Sequence, residues 1–254
     1  MPVAAIMLLP IVPGTSNVAF AGTLTQFDPT GAHVLFPSGV RSATVAFGPA
    51  GAVLEVVSDA GALTQFDSTG SHLLIASGVQ SVGVAFAPSG LVLEVVSDAG
   101  ALTQFDSKGS NVLIASGVQA VSVAYAPSGQ VLEVVSDTGA LTQFDSTGSH
   151  LLVPSGVQSV GVAYGPAGQV LDVVSDAGAL TQFDSTGAHL LFDSGVQSAG
   201  LDFGPAGQVL EVVTVEPSVA STPEPASIVL FGTGLAGVFL LRQRRKRAAR
   251  KPVA

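Results

Sequence analysis

The chain predicts an all-β protein, a five-bladed β-propeller built from four-stranded repeats. Three observations lead there. The pentapeptide Leu-Thr-Gln-Phe-Asp begins at Leu24, Leu63, Leu102, Leu141 and Leu180, always 39 residues apart, and a fixed period of this size marks a propeller, solenoid or array. The composition, 47% hydrophobic with 30 Gly and 15 Pro, is one of short apolar runs cut by residues that helix interiors do not tolerate. The connections inside each repeat run only two to five residues. Parallel crossovers need a dozen or more, so consecutive strands are antiparallel neighbours.

The unit from Ser81 to Gln119 gives the elements in order. Strand a, Val82 to Phe86, is followed by Ala87-Pro88-Ser89-Gly90; Pro at the second position and Gly at the fourth suit a type I turn. Strand b, Val92 to Val96, ends at Ser97-Asp98-Ala99-Gly100. Strand c, Leu102 to Phe105, ends at Asp106-Ser107-Lys108-Gly109, and strand d runs from Val112 to Ala115. In strand a, Val82, Val84 and Phe86 share one face and Gly83 and Ala85 the other. A bulky face against a small-residue face is what stacked blades need.

The phase of the repeats carries a further expectation. Strands c and d first occur at Leu24 and Val34, whereas strands a and b first occur at Thr44 and Val53 and last at Leu201 and Val209. Five complete blades follow if the first c–d pair joins the last a–b pair, setting Leu24–Val40 beside Leu201–Val213 and removing exposed sheet edges. The alternative, an open solenoid, needs atypical capping repeats, and none is visible. The unit VAFAPSGLVLEVVSDAGALTQFDSKG resembles blades of NHL-like propeller repeats, a likeness of fold over about 190 residues that implies no particular activity.

Charge divides the chain. Residues 1–241 hold 2 basic and 18 acidic groups, net −16, while seven of the nine basic residues lie between Arg242 and Lys251. An acidic body repels phosphates, which excludes a nucleic-acid partner. With no Cys, disulfides and thiolate metal sites are excluded too.

Five carboxylates recur at the centre of strand b: Glu55, Glu94, Glu133, Asp172 and Glu211. In a closed ring they form an acidic band at one radius, a candidate cation or ligand site. Local pairing with a strand-c neighbour such as Gln65, Gln104 or Gln143 is the cheaper arrangement for a buried carboxylate. Turn aspartates such as Asp59, Asp67, Asp98 and Asp106 read as residues bonding their own backbone. His33, His72, His150 and His189 fall one per repeat and read as surface residues, since a metal site gathers its ligands. No nucleophile elbow, zinc-binding helix motif or phosphate loop occurs. The expectation is a non-enzyme with no catalytic residue, metal or cofactor. A multivalent carbohydrate-binding propeller is the alternative function, weakened by the lack of Trp.

The two ends read as addresses. Residues 1–21 resemble a secretory signal peptide, with the apolar run AAIMLLPIV and a small-residue site ending at Ala21, although no Lys or Arg precedes the run. The propeller is expected over 22–216 and a linker over 217–225. Pro223, Glu224 and Pro225 introduce the uncharged run 226–241, which as a helix of about 24 Å is a short transmembrane span. The basic tail 242–254, with Arg242, Arg244, Arg245, Lys246 and Arg247, holds that end in the cytoplasm and places the repeats outside.

This three-part tail resembles the PEP-CTERM sorting signal, with Pro223, Glu224 and Pro225 on the signature triplet and Gly232, Gly234 and Gly237 in the span. The resemblance implies export in a Gram-negative bacterium, an exosortase-type processing partner, anchoring in the inner membrane before processing, and association with the cell envelope, exopolysaccharide or extracellular matrix.

Overall fold

A computed structural model describes residues 22–215. The expected signal peptide, sorting motif, transmembrane helix and basic tail lie outside the described residues. Every regular element among those described is a strand. The chain opens with β1 (Thr23–Asp28) and β2 (Gly31–Phe36). Blade 1 follows as β3 (Val40–Gly48), β4 (Gly51–Ser58), β5 (Leu63–Asp67) and β6 (Gly70–Ile75). Blade 2 is β7 (Val79–Ala87), β8 (Gly90–Ser97), β9 (Leu102–Asp106) and β10 (Gly109–Ile114). Blade 3 is β11 (Val118–Ala126), β12 (Gly129–Ser136), β13 (Leu141–Asp145) and β14 (Gly148–Val153). Blade 4 is β15 (Val157–Gly165), β16 (Gly168–Ser175), β17 (Leu180–Asp184) and β18 (Gly187–Phe192). The chain returns through β19 (Val196–Gly204) and β20 (Gly207–Thr214).

The fifth blade has the order β19-β20-β1-β2, so the first hairpin and the last complete one sheet. Its seam repeats the register inside every other blade. Leu24 faces Val213 and Gln26 faces Glu211, as Leu63 faces Val57 and Gln65 faces Glu55 in blade 1. The inner strands β3, β7, β11, β15 and β19 each pack on two neighbours, and β19 returns to β3. The result is a closed five-bladed propeller, and the solenoid is excluded.

The inner strands begin three residues earlier than alternation alone suggests, because each carries a bulge. Val79 pairs with Ser97 and Ser81 with Val96, leaving Gln80 without an opposite residue. Arg41, Gln119, Gln158 and Gln197 hold the same place in the other blades. A bulge of this kind bends the strand and re-aims the extra side chain.

The core lies between blades. Val82 and Val84 of blade 2 pack with Val57 and Leu63 of blade 1. Ala85, Val96 and Leu102 on the opposite face meet Val121 and Val123 of blade 3. Leu24, Leu63, Leu102, Leu141 and Leu180 are all fully buried. Full burial of one such side chain contributes about 1.5–3 kcal/mol, which explains why this position is invariant across the repeats. Close approach also fixes glycines: a Cβ at Gly200 would lie 2.6 Å from the Ala43 carbonyl oxygen.

Candidate functional site

The central channel has two unlike mouths. At one, the bulged Arg41, Gln80, Gln119, Gln158 and Gln197, together with serines of the next position, line a polar cavity of about 250 Å³. Gln119 donates to the Gln158 carbonyl at 3.1 Å, while Gln197 Oε1 and Ser198 Oγ are buried without a partner among the described residues. Arg41 replaces the repeat's Gln and spans two blades, donating to Asp98 Oδ1 (2.9 Å) and to the Asp59 (2.7 Å) and Val79 (3.2 Å) carbonyls.

The other mouth is apolar. Phe47, Phe86, Tyr125 and Tyr164, with the prolines two residues beyond each, line a bowl of about 1150 Å³. Beneath the same four rings lies a cavity of about 90 Å³. The seams follow two patterns. Where the ring is Phe, the preceding blade offers Gly: a Cβ at Gly48 would overlap Phe86, one at Gly165 would meet Phe203 at 2.5 Å, and one at Gly204 would meet Phe47 at 2.8 Å. Where the ring is Tyr, the equivalent residue is Ala87 or Ala126. The Tyr125 hydroxyl then donates to Gln130 Oε1 (3.3 Å) and the Tyr164 hydroxyl to Gln169 Oε1 (3.1 Å).

These glutamines reach the repeated carboxylates. Glu55, Glu94, Glu133 and Asp172 are fully buried and Glu211 nearly so. Gln130 Nε2 donates to Glu94 Oε1 across the seam at 3.1 Å, and Gln169 Nε2 to Glu133 Oε1 at 3.4 Å. Asp172, one methylene shorter, is served instead by Gln182 of its own blade at 2.9 Å. Among the described residues Glu55 and Glu211 have no partner; the residues that would supply one are Leu91 and Ala52. Strand-c pairing thus holds only for Asp172. Gln65 and Gln143 turn instead to Asp67 and Asp145, both at 2.8 Å, because a charged acceptor makes the stronger bond. Burial pushes Glu55 up to about 8, helped by the nearby Asp67 charge, and pushes Glu94, Glu133, Asp172 and Glu211 up to about 7.

The five carboxylates occupy separate seams, and among the described residues no three metal-ligating side chains converge. The histidines lie exposed near the start of the outer strands β2, β6, β14 and β18. In blade 1, Thr69 Oγ1 donates to Asp67 Oδ1 and lies 2.8 Å from His72 Nε2; the same trio recurs at His33, His150 and His189. The Thr69 hydroxyl and amide hold Asp67 well below the usual carboxylate range. Outside all of this lies an apolar rim: Val34, Leu73, Val112, Leu151 and Leu190 are each 60–64% exposed. The next residue in each outer strand is bulged out of register.

The rim, the seams and the polar mouth owe their positions to bulges and blade stacking, which periodicity does not reveal. The signal that could have found the seam networks is the joint variation of Ala with Tyr and of Gly with Phe.

Comparison with known proteins bears chiefly on the tail. Residues 221–246 match the PEP-CTERM protein-sorting motif, covering Pro223, Glu224, Pro225, Arg242, Arg244, Arg245 and Lys246. Arg247 lies just beyond the match. The chain therefore carries the sorting signal of exosortase substrates, which implies an exported protein. No curated protein matches the sequence. Among solved structures, the chain is similar to BBS1N crystallised in complex with ARL6DN and soaked with mercury, at 15% identity and TM-score 0.44 over 74% of this chain and 68% of that one. The lead-soaked form gives 14% identity with the same TM-score and coverage. The WD40 domain of SCAP from fission yeast gives 12% identity and TM-score 0.36, over 68% of this chain and 47% of that one.

Proposed function

We propose that this protein is a non-catalytic interaction module of the cell envelope, a propeller delivered by its sorting signal and displayed outside the inner membrane. The rim carries the reading. Five equivalent outer strands each expose a large apolar side chain, from Val34 to Leu190, and this fivefold repetition of an apolar side chain at one edge supports a contact surface there. Residues 226–241 act as a transmembrane anchor before an exosortase-type enzyme processes the tail. The exported propeller then associates with envelope or matrix components.

Fractionation of cells carrying Pro223→Ala and Pro225→Ala together tests the address; the variant is expected to stay with the inner membrane while the parent moves outward. Identical distributions refute it. Leu73→Ser, Leu151→Ser and Leu190→Ser combined test the rim, since a correctly sorted variant is expected to wash off the envelope at lower urea concentration, urea being what weakens apolar contacts.

One observation favours carbohydrate binding as a second reading. The polar mouth offers amides and hydroxyls, with Gln197 Oε1 and Ser198 Oγ buried and unsatisfied among the described residues, a chemistry suited to sugar hydroxyls. Saturable calorimetric binding of a monosaccharide, lost in Ser198→Ala, would favour it over the rim.

A further inference from the structure

One residue breaks the fivefold pattern at the aromatic mouth. The inner-strand position held by Ala46, Ala85, Ala124 and Ala163 is Asp202 in the last blade. Asp202 lines the 90 Å³ cavity beneath the rings, where Val84, Val123, Val162 and Leu201 supply apolar walls. We propose that this end of the channel binds an alkylammonium group, with Asp202 as its counter-charge and the rings of Phe47, Phe86, Tyr125 and Tyr164 around its carbon chain.

Asp202 also has a structural role. Its Oδ2 accepts the Phe47 amide at 2.7 Å and so links blade 5 to blade 1. A neutral acceptor would do the same, and four blades dispense with one, so the charge itself remains to be explained. Among the described residues the only Lys or Arg are Arg41 and Lys108, and the four histidines lie on the outer strands. Arg41 is engaged at the opposite mouth and Lys108 sits in an outer turn between β9 and β10. Burial raises the Asp202 carboxyl above its ordinary value despite the Phe47 and Phe203 amides. A cation beside it offsets that penalty.

The surroundings select the same class. Aromatic rings attract cations, most strongly where water is excluded, and the acidic body draws cations towards a cleft and repels anions. A cavity of 90 Å³ holds the volume of about three waters, enough for an ammonium head and little more. The wider bowl accepts the chain behind it. A neutral polyol would leave its hydroxyls unpaired against Val and Leu walls.

The molecule carries its own reporter. There is no Trp, and the only two tyrosines, Tyr125 and Tyr164, both line this mouth. Tyrosine fluorescence of the full chain in a non-ionic detergent is titrated with n-butylammonium, with uncharged n-butanol, and with an end-blocked trilysine peptide. The expected result is a saturable change with butylammonium and a dissociation constant at least tenfold weaker for butanol. Asp202→Asn keeps an acceptor for the Phe47 amide and Asp202→Ala restores the residue of the other four repeats; both are expected to weaken butylammonium at least tenfold. Trilysine binding more tightly than butylammonium assigns the group to a partner's lysine, and weaker binding assigns it to a free amine. No saturable change with either cation, or equal binding of butanol by the parent chain, overturns the proposal whether or not the variants fold. Undiminished binding by a folded Asp202→Asn overturns it as well.

Discussion

Gln130 of blade 3 donates through Nε2 to Oε1 of Glu94 in blade 2, at 3.1 Å. The bond crosses a seam and ends on a carboxylate that has no exposure to solvent. At the preceding seam the place of Gln130 is taken by Leu91, and Glu55 has no partner among the described residues. Burial raises both carboxyls, Glu55 to about 8 with the Asp67 charge adding to it and Glu94 to about 7 with the Gln130 bond acting the other way.

Gln130→Leu is therefore expected to raise the Glu94 carboxyl towards the Glu55 value. It should destabilise by about 1–2 kcal/mol at pH 8, where the lost bond ends on a charge. At pH 5 the carboxyl is protonated in both proteins and the cost is smaller. Thermal melts at the two pH values check this, and equal losses at both would show that the bond does not favour the charged form.

The five carboxylates together set a pH profile. Their folded values lie near 7 to 8 against ordinary values of 4.5 for Glu and 3.8 for Asp, so the folded state holds protons that the unfolded chain has released. Their stabilisation is complete below the unfolded values and is lost as pH rises through the folded ones. Asp67 and Asp145, held low by threonine bonds, act in the opposite sense and lose their contribution as pH falls below the ordinary range. Stability should peak near pH 4 to 5. Between pH 5 and 8 the melting temperature should therefore fall, by about 2–4 °C for each kcal/mol lost in a domain of this size. Glu55→Gln is expected to flatten the slope, and a melting temperature that rises between pH 5 and 8 would contradict the assignment.

Much of this fold is legible in the chain because the repeat is periodic at every level. Leu24, Leu63, Leu102, Leu141 and Leu180 recur without insertion, and the starting phase is enough to expect the β1–β20 seam. The bulged Gln80 is not legible, since alternation counts residues and a bulge adds one without changing the pattern. Nor is the partner of Glu94, which lies 36 residues away in the next blade. Asp202 stands out against four alanines in the sequence, yet its meaning depends on which mouth of the channel it lines. The sorting signal is legible by likeness to a family, independently of any structure.

Inner-strand glycines should differ in tolerance. A Cβ at Gly200 would sit 2.6 Å from the Ala43 oxygen and 2.7 Å from Thr44 Cα, whereas at Gly83 the nearest atom is Ser122 Cα at 3.2 Å. The same position is occupied by Ser122 and Thr44 in two other blades, so the repeat admits a side chain at some seams. Gly200→Ala is expected to cost about 1–3 kcal/mol by overpacking, and Gly83→Ala less than half as much. Urea unfolding of both variants measures the difference.

Closure of the ring makes the sharpest demand. Leu24 and Leu102 are equally buried and hold equivalent registers, Leu24 against Val213 and Leu102 against Val96. They differ in connection, since β8 and β9 are joined by a short turn while β1 and β20 meet only through the closed ring. Truncating a buried leucine costs about 2–5 kcal/mol when the surroundings stay folded. If the seam is as firm as a blade interior, Leu24→Ala and Leu102→Ala lower stability alike. If β1 frays from β20, Leu24 spends part of its time in water and its truncation costs distinctly less. Hydrogen exchange separates the two cases at the amides of Leu24 and Leu102: equal protection is expected, and faster exchange at Leu24 alone would place the weakest point of the propeller at its seam.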